Sequence, residues 1–343
     1  MITNTPYVSL ILPCFNEEAI LEKNIGTVIE YLNKSNYRDE WEIVIINDGS
    51  KDKTAQIAKK ISSENKQIHV FHHPVNLNLG HALQTGFANA SGEILVVLDI
   101  DLSYAPEHIG LMVETLKTTY ADMVIASPYM KGGKVTAVPF IRKIMSKWVN
   151  RFMRMASQEK FHTFTGMVRA YRRDFIQSLN LKTKDYEINP EIMYKAMILR
   201  ARIVEVPAHL DWTEQNKFKE TRTSGIRVLR GVFSGMMSGF IFRPYIFFIG
   251  IGAFLMLLSM YQIIWLFIDT VLDISLFTEL ASPFSESLKL QFTKNPQSFI
   301  VGGITLLASL QFLGLGFISL QSKRYYEEIF HLGTTVRKWV KKD

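Results

Sequence analysis

Residues 94–101, which read ILVVLDID, decide the fold class of this chain. The first five are apolar and partly β-branched, which suits a buried strand of a parallel sheet. Asp99 and Asp101 follow at once, and Pro106 a little later is typical of the first turn of a helix. The stretch therefore predicts a buried strand, then a loop with two carboxylates, then a helix.

The same alternation of strand and helix patterns extends over the first two thirds of the chain. Other short apolar runs occur at residues 7–12, 41–46, 68–72 and 123–126. Between the first two runs, apolar residues from Leu21 to Leu32 recur at helix spacing. This pattern predicts an α/β domain with a mostly parallel, doubly wound sheet, to which we assign residues 1–225.

Polar loops follow three of the predicted strands, with the sequences PCFNEE (13–18), NDGS (47–50) and DID (99–101). In doubly wound sheets ligands bind beyond the carboxyl ends of the strands, so we expect these loops to form one site. The sequence contains neither GxGxxG after a predicted strand nor GxxxxGK[ST]. This argues against dinucleotide dehydrogenases and P-loop nucleotide hydrolases.

The carboxylates of Asp99 and Asp101 suggest a metal site. Mg²⁺ and Mn²⁺ prefer oxygen ligands and often share them with substrate phosphates. An aspartate here could instead cap a turn before a helix. We favour a metal–diphosphate site, because the pair stands at the end of a buried strand.

The other two loops allow a structural as well as a functional interpretation. Asn16 and Glu17 suit the start of a helix, and Asp48 suits a tight Asp-Gly turn. All three are also candidates for binding a nucleotide. His72 and His73 are adjacent on a strand end and should point to opposite faces, so we expect surface or pocket residues and no metal cluster.

Two long stretches without charged residues follow the α/β domain. A helix that crosses a bilayer needs about 20 apolar residues. Residues 244–268 meet this requirement, and so do residues 297–320. Two buried core helices would be the alternative, but core helices seldom run so far without a charge. We therefore expect two transmembrane helices.

Lysine and arginine residues flank the two spans on their outer sides, whereas the connector 269–296 carries mixed charges. The positive-inside rule then places the α/β domain and the basic tail 321–343 in the cytoplasm and the connector across the membrane.

The net charge of +7 is explained by an anionic membrane surface, so nucleic acid is not an expected partner. The single cysteine, Cys14, excludes a disulfide scaffold. We expect an integral protein of the inner or cell membrane.

Two further segments have the pattern of helices that lie in a membrane interface. In residues 139–156, PFIRKIMSKWVNRFMRMA, apolar residues recur at helix spacing and basic residues are interleaved. Residues 226–243 repeat the pattern just before the first span, as a juxtamembrane helix. A helix packed on the domain's own core would look similar. We favour the interface for both segments.

The ordered set of motifs resembles the family 2 glycosyltransferases of the GT-A fold. After PCFNEE, INDGS and LDID, the family order continues with YMKGGK, IRKIMSKWVN, FTGMVRAYRRD and DYEINPE. Together with two spans at the carboxyl end, the chain looks like the polyprenyl-phosphate branch. That branch includes dolichyl-phosphate mannose synthases and bacterial undecaprenyl-phosphate glucosyltransferases.

This resemblance implies an inverting transfer of a sugar from a UDP- or GDP-linked donor to a polyprenyl phosphate, with Mg²⁺ or Mn²⁺ as cofactor. The residues implied in nucleotide binding are Pro13, Phe15, Asn16, Glu17, Asp48, Gly80 and Asp99. Those implied at the metal are Asp99, Asp101 and Ser103, and those implied in catalysis are Asp99, Asp101 and Arg142. Those implied at the acceptor or lipid are Arg142, Lys143, Lys147, Arg151, Glu187 and Glu191.

The sequence departs from the family pattern at three places. Ser103 stands where many relatives have a glutamine that helps to bind metal, and Pro128 replaces a common basic residue. The usual basic Gly-x-Ser-Lys segment is absent, and DWTEQNKFKETRTSG (211–225) stands there. A lysine or arginine of that segment is a candidate substitute, namely Lys217, Lys219 or Arg222.

Three other functions are alternatives. The first is a processive polysaccharide synthase, which needs a QxxRW-type segment and more spans than two; this sequence shows neither. A transferase that acts on a lipid hydroxyl such as diacylglycerol would need a general base, for which Glu187 and Glu191 are candidates, whereas a lipid phosphate needs none. An inactive membrane-anchored binding protein is the third. Small residues in the second span also suggest a homo-oligomer as a hypothesis.

Overall fold

The computed structural model describes residues 6–157, 160–217, 244–277 and 282–340. By its internal contacts the chain divides into two compact units. One comprises residues 1–242 and 330–343, and the other comprises residues 243–329. The predicted juxtamembrane helix at 226–243 lies outside the described residues, as do Lys219 and Arg222.

The first unit is built on a seven-stranded sheet. The five predicted strands are all present, as β1 (Val8–Cys14), β2 (Trp41–Asn47), β3 (Ile68–His72), β4 (Ile94–Val97) and β5 (Met123–Ser127). β1 pairs in parallel with both β2 and β4, and β2 pairs in parallel with β3. These pairings confirm the predicted mostly parallel α/β sheet.

Four further strands were not predicted, namely β6 (Lys134–Thr136), β7 (Arg169–Arg172), β8 (Ile203–Pro207) and β9 (His209–Asp211). β7 lies between β4 and β5 and runs antiparallel to both, so the sheet order is β3-β2-β1-β4-β7-β5-β8. β6 and β9 pair in parallel as a separate two-stranded sheet. β6, β7 and β9 have only three or four residues each, too few for an apolar periodicity to stand out in a sequence.

Helices form the other part of this unit. Their bounds are α1 (Leu21–Lys34), α2 (Thr54–Glu64), α3 (Leu79–Asn89), α4 (Glu107–Thr119), α5 (Phe140–Ser157), α6 (Arg173–Ser178), α7 (Ile188–Ile198) and α8 (Thr213–Lys217). Successive strand residues such as Leu10 and Ile11 join different buried clusters, because side chains alternate between the faces of a strand. One cluster includes residues of α1, α2 and α4, and the other includes residues of α3, α6 and α7. The sheet is thus covered by a separate apolar core on each face.

The second unit is helical. It contains α9 (Pro244–Asp273), α10 (Pro283–Lys294) and most of α11 (Pro296–Val340). α9 and α11 are long and apolar enough to cross a membrane, and only 11% and 17% of their most apolar windows are buried. The core helix of a soluble protein would be mostly buried, so this exposure supports the predicted spans. α11 continues past residue 320, where the second span was expected to end.

Small residues bring α9 and α11 together. A Cβ atom on Gly316 would lie 2.7 Å from the side chain of Ile249, and one on Gly252 would lie 2.8 Å from Leu313. The hydroxyl of Ser259 also donates a hydrogen bond to the carbonyl oxygen of Gly302, at 3.0 Å. Close packing through glycine and serine is common between membrane helices. Part of the small-residue pattern in the second span therefore serves packing within the chain.

Candidate active site

The loops after β1 and β2 are joined by hydrogen bonds at the carboxyl edge of the sheet. Asn16 has a positive φ of 56°, which asparagine tolerates better than most residues. Its backbone N–H donates to the hydroxyl of Ser50 at 3.0 Å, and its side-chain oxygen accepts from the N–H of Lys51 at 2.9 Å. The N–H of Glu17 donates to the hydroxyl of Thr54 at 2.8 Å. Pro13 lies near the end of β1, and Phe15 follows that strand with its side chain exposed.

Asp48 is buried between these loops and held from one side. Its Oδ1 atom accepts from the backbone N–H of Leu77 at 2.9 Å and lies 2.6 Å from Nδ1 of His73. The other ring nitrogen of His73 lies 2.9 Å from the hydroxyl of Thr85. The orientation of the Asp48 carboxylate is therefore fixed by residues of the β3–α3 connection and α3. His73 is thus a largely buried partner of Asp48 and is not exposed at the surface.

Gly80 has a packing role. A Cβ atom at this position would lie 2.4 Å from the carbonyl oxygen of Thr183 and 2.4 Å from the carbonyl carbon of Lys184. Gln84, one turn later on α3, donates to the same Thr183 oxygen at 2.7 Å. Glycine at position 80 thus allows α3 to approach the loop before α7. The predicted role of Gly80 in nucleotide binding stays a prediction.

Asp99 and Asp101 lie in a tight turn after β4. The N–H of Leu102, which has a φ of 50°, donates to the carbonyl oxygen of Asp99 at 3.1 Å. Burial, followed by the charges of Asp101 and Glu17, raises the pKa of the Asp99 carboxyl well above that of an ordinary aspartate, and Arg142 opposes this shift. The turn therefore brings two carboxyl groups together at a place where ionisation of Asp99 is unfavourable unless a cation is bound nearby.

Each carboxylate oxygen of Asp101 accepts a hydrogen bond. Oδ1 accepts from the backbone N–H of Ser103 at 2.9 Å, and Oδ2 accepts from the side-chain amide of Gln215. Ser103 is buried, and its carbonyl oxygen accepts from the N–H of Asp211 at 2.8 Å. The segment after β9 is thus attached to the loop of the two aspartates.

The chemistry of this turn fits a hard divalent cation. Carboxylate oxygens with partly uncompensated charge are the ligands that Mg²⁺ and Mn²⁺ favour. Across the described parts of the chain, no group of three or more His, Cys, Asp or Glu side chains is placed to hold a metal ion. A cation held by Asp99 and Asp101 would therefore complete its shell with neutral oxygens, water or a substrate phosphate.

Arg142 brings a positive charge to the same region from α5. Its guanidinium carbon lies 4.3 Å above the ring centre of Trp212, a cation–π contact. Desolvation lowers the pKa of Arg142, and the charges of Asp101 and Asp99, with Tyr186 and Tyr129, oppose the change. The arginine therefore stays protonated within electrostatic reach of both aspartates.

α5 has an exposed apolar side. Its large apolar side chains that are open to solvent are Phe140, Ile141, Ile144, Trp148, Phe152 and Met155. Lys147 and Arg151 are exposed and Lys143 is partly exposed. The helix contacts the domain through Asn150 and Met153, which are buried; the Asn150 side-chain oxygen accepts from the N–H of Phe164 at 2.7 Å. This exposure argues against the alternative in which the apolar side packs on the domain's own core.

Glu191 has a structural role. Its two oxygens accept from the N–H groups of Lys182 and Thr183 at 2.9 Å, from the Thr183 hydroxyl and from Nζ of Lys195 at 2.6 Å. Burial alone would raise the pKa of Glu191, but the hydrogen bonds from Lys195 and Thr183 lower it. Hydrogen bonds within the chain thus occupy both oxygens of the Glu191 carboxylate. Glu187, whose carbonyl oxygen accepts from the N–H of Glu191 at 2.9 Å, lies at the start of α7.

Sequence reasoning missed three residues that contact the candidate site. His73 orients Asp48, Trp212 contacts Arg142, and Gln215 contacts Asp101. Trp212 and Gln215 belong to the segment that departs from the family pattern, which was the one available signal. The cationic substitute expected in this segment was Lys217, Lys219 or Arg222; Lys217 lies at the end of α8, and the other two lie outside the described residues.

Comparison with protein-family models shows a match to glycosyl transferase family 2 over residues 9–179. A dolichol-phosphate mannosyltransferase from Pyrococcus furiosus is 34% identical over 203 residues, which are 58% of this chain and 55% of that protein. A polyprenol monophosphomannose synthase from Mycolicibacterium smegmatis is 28% identical over 231 residues, 65% of this chain and 83% of that protein. The chain thus spans little more than half the length of the Pyrococcus relative.

The fold is also similar to a solved structure. Glucosyl-3-phosphoglycerate synthase from Mycobacterium tuberculosis, in complex with Mn²⁺, uridine diphosphate and phosphoglyceric acid, has a TM-score of 0.50. It is 21% identical, and the match covers 68% of this chain and 78% of that one. At this identity the likeness establishes the fold alone, and the GT-A-type architecture is confirmed.

Proposed function

Since residues 9–179 are a family 2 glycosyltransferase domain, we propose that this chain transfers a sugar from a nucleotide-sugar donor to a polyprenyl phosphate at the cytoplasmic face of a membrane. The observation that carries the proposal is the turn after β4, which places Asp99 and Asp101 within electrostatic reach of Glu17 and Arg142 at one edge of the sheet. Relatives named for transfer to dolichol phosphate and to polyprenol support the acceptor class.

The donor nucleotide would bind in the joined loops after β1 and β2. Pro13 lies near the end of β1, Phe15, Asn16 and Glu17 lie on the loop after it, and the oriented carboxylate of Asp48 follows β2. A base or ribose presents several N–H and O–H donors, and carboxylates held by the chain can select among them.

Asp99 and Asp101 would hold a divalent cation on the donor diphosphate, and Ser103 stays a predicted contributor. A bound Mg²⁺ or Mn²⁺ would supply charge stabilisation of the leaving diphosphate. Arg142 adds a positive charge within electrostatic reach of both aspartates, and its guanidinium contacts the Trp212 ring. Such preorganised charge acts where negative charge develops during the reaction.

The acceptor reaction is a displacement at the anomeric carbon. An oxygen of the lipid phosphate forms the new bond to this carbon from the face opposite the donor diphosphate, whose bond to the carbon breaks, so the configuration inverts. The phosphate oxygen is already anionic, so no general base is required. This agrees with Glu191, whose carboxylate is occupied by hydrogen bonds of the chain.

A lipid acceptor must meet a soluble donor at the membrane surface. α5 presents an exposed apolar side together with Lys143, Lys147 and Arg151, which is the composition of an interfacial helix. α9 and α11 would anchor the chain, with the catalytic domain, the tail and both termini in the cytoplasm. Arg142 lies on the same helix, so α5 links the lipid surface to the site.

Transfer to a lipid hydroxyl such as diacylglycerol is the second candidate function. It differs by its need for a general base near the anomeric carbon. Of the two glutamates considered for that role, Glu191 is committed to Lys182, Thr183 and Lys195. The structure therefore favours the phosphate acceptor.

A donor panel tests the proposal. The full chain, purified in lipid vesicles with undecaprenyl phosphate, is incubated with Mn²⁺ and radiolabelled UDP-glucose, UDP-galactose, UDP-N-acetylglucosamine or GDP-mannose. We expect one donor to label a mild-acid-labile lipid, and we expect Asp101→Asn to abolish this label. Asp39→Asn, an equal change at an exposed aspartate, is the matched control and should leave it intact. Absence of label from all donors would contradict the proposal.

A further inference from the structure

The segment that follows β9 contacts two residues of the proposed catalytic site. Gln215, on α8, donates from its side-chain amide to Oδ2 of Asp101. Trp212, just before α8, lies under the guanidinium of Arg142 at 4.3 Å. One short stretch thus connects the loop of the two aspartates, which follows β4, with the amino-terminal turn of α5.

Backbone hydrogen bonds fix this segment in place. The parallel pairing of β6 with β9 places Asp211 beside Thr136. The N–H of Trp212 then donates to the carbonyl oxygen of Thr136 at 3.1 Å, and the N–H of Asp211 donates to that of Ser103 at 2.8 Å. The carboxylate of Asp211 in turn accepts from the N–H of Thr213 at 2.9 Å, where α8 begins. The contacts of Trp212 and Gln215 therefore rest on a defined backbone.

The contact of Gln215 completes the hydrogen bonding of Asp101 on its second oxygen. With Ser103 donating to Oδ1 and Gln215 donating to Oδ2, the carboxylate plane is held from both ends. A carboxylate that binds a cation still has lone pairs for such donors, since each oxygen has two. Donors of this kind orient a ligand and limit the positions that the metal can occupy.

We propose that Gln215 is a positioning residue for Asp101, and that Trp212 is a positioning residue for Arg142. The proposal rests on the proposed function, because it concerns the same carboxylate and the same guanidinium. The segment 211–217 thereby holds the cation-binding side and the cationic side of the site in one arrangement. The amide of Gln215 acts on the carboxylate and is not itself a ligand of the metal.

Direct titration with Mn²⁺ tests the role of Gln215 without an activity assay. Free Mn²⁺ is measured by electron paramagnetic resonance in the presence of the full chain, with and without UDP or GDP. Gln215→Leu keeps the side-chain volume and removes the donor, and we expect Mn²⁺ affinity to fall by about 10-fold to 100-fold. Gln67→Leu is the matched control. The Gln67 side-chain amide also donates to one oxygen, the carbonyl oxygen of Trp41 at 3.0 Å, but Gln67 directly precedes β3 and is remote in sequence from the two aspartates.

Asp101→Asn separates a failure of this inference from a failure of the proposed function. If Asp101→Asn abolishes Mn²⁺ binding and Gln215→Leu leaves it at the wild-type level, the inference alone is overturned. If Asp101→Asn also leaves Mn²⁺ binding unchanged, the proposed metal site itself is wrong.

Gln215→Glu distinguishes positioning from direct ligation. A carboxylate at 215 has no proton to donate at neutral pH and would repel Asp101, so the proposal expects weaker Mn²⁺ binding, as in Gln215→Leu. If the side-chain oxygen of Gln215 instead bound the metal directly, the carboxylate of Gln215→Glu would add negative charge to the metal site. Equal or tighter Mn²⁺ binding by Gln215→Glu would therefore overturn the positioning role.

Trp212 is tested by its separate effect on the rate of sugar transfer. Trp212→Leu should lower kcat by about tenfold and leave Mn²⁺ affinity unchanged, whereas Trp212→Phe should restore most of the loss through its own ring. If Trp212→Leu lowers Mn²⁺ affinity as much as Gln215→Leu does, the segment acts only as one folded unit. That result would overturn the separate roles.

Discussion

Nδ1 of His73 lies 2.6 Å from Oδ1 of Asp48, and both side chains are almost fully buried at the end of β2 and β3. The second ring nitrogen contacts Thr85 of α3 at 2.9 Å. The imidazole therefore bridges α3 and the carboxylate that we assign to nucleotide binding. Asp48 owes its orientation to this bridge as well as to the N–H of Leu77.

This bridge predicts that His73→Leu weakens the binding of nucleoside diphosphates. A hydrogen bond to a charged group contributes about 1.5–3 kcal/mol, so we expect a loss of at least about tenfold in affinity for the UDP or GDP that binds the wild type. His73→Asn should retain more affinity, since its amide nitrogen can replace Nδ1. Calorimetric titration measures both, with His69→Leu, an exposed site, as control.

Equal nucleotide affinity in His73→Leu and in the wild type would contradict this role. A loss that His69→Leu shares would show a general effect on the sheet edge. Neither outcome would agree with an oriented Asp48.

The raised pKa of Asp99 predicts a gain of stability in Asp99→Asn. A carboxyl whose pKa is higher in the folded than in the unfolded chain lowers stability as pH rises between the two values. We expect the variant and the wild type to have similar stability at about pH 4, and the variant to be increasingly more stable towards about pH 8. Thermal unfolding of the full chain in detergent, without added metal, measures this difference.

Saturating Mn²⁺ provides the internal control for Asp99→Asn. It should raise the melting temperature of the wild type and leave that of the variant almost unchanged, because the variant has lost a proposed ligand. A constant stability difference across this pH range would contradict the shifted pKa. Equal stabilisation by Mn²⁺ would contradict the role of Asp99 at the metal.

The exposed side of α5 predicts that charge reversal there affects the lipid acceptor more than the donor. Each basic residue near anionic lipid contributes about 1 kcal/mol. Changing Lys143, Lys147 and Arg151 together to glutamate should raise the apparent KM for undecaprenyl phosphate by at least about tenfold, with little change in nucleotide affinity. Assays in anionic vesicles at low and high salt measure the effect.

The matched control for α5 reverses three exposed lysines elsewhere, namely Lys23, Lys59 and Lys66. This variant carries the same change of net charge and should keep the KM of the wild type. Equal losses in acceptor and donor binding for the α5 variant would contradict the interfacial role.

The network around Glu191 predicts a loss of stability and no specific loss of catalysis in Glu191→Gln. Breaking one partner of a buried ion pair costs about 3–5 kcal/mol, because Lys195 would remain without its carboxylate. Chemical unfolding measures this cost, and kcat is measured on the folded fraction below the transition. A kcat reduced by about 100-fold or more in a folded variant would instead restore Glu191 as a general base and favour a hydroxyl acceptor.

The strands of the sheet were predictable from the sequence where they are long and apolar. β3 was predicted with the bounds that the structure shows, β2, β4 and β5 differ from their predicted bounds by one residue at one end, and β1 differs by one residue at its start and two at its end. β7 was missed because RAYR contains two arginines, and one of them, Arg169, is fully buried with its guanidinium donating to the carbonyl oxygens of Phe164 and Asn189. The polarity of the sequence does not reveal that hydrogen bonds to these carbonyl oxygens offset the cost of burying Arg169.

Site residues were predictable where a loop directly follows a strand, because the fold class alone brings those loops to one edge. Contacts from distant segments were not predictable. Gln215 meets Asp101 across 114 positions of sequence, through a three-residue strand pair that has no sequence signature. Gly80 was assigned to the nucleotide from the resemblance, whereas its backbone packing against Thr183 is a tertiary feature.

The most direct test of the central claim compares acceptors in one vesicle preparation. With the donor that the panel identifies, Mn²⁺ and the wild-type chain, initial rates are measured for undecaprenyl phosphate and for diacylglycerol at equal mole fraction. We expect transfer to the lipid phosphate to be at least about 100-fold faster than to diacylglycerol, and to yield a product that mild acid cleaves. Faster transfer to diacylglycerol, into an acid-stable product, would contradict it.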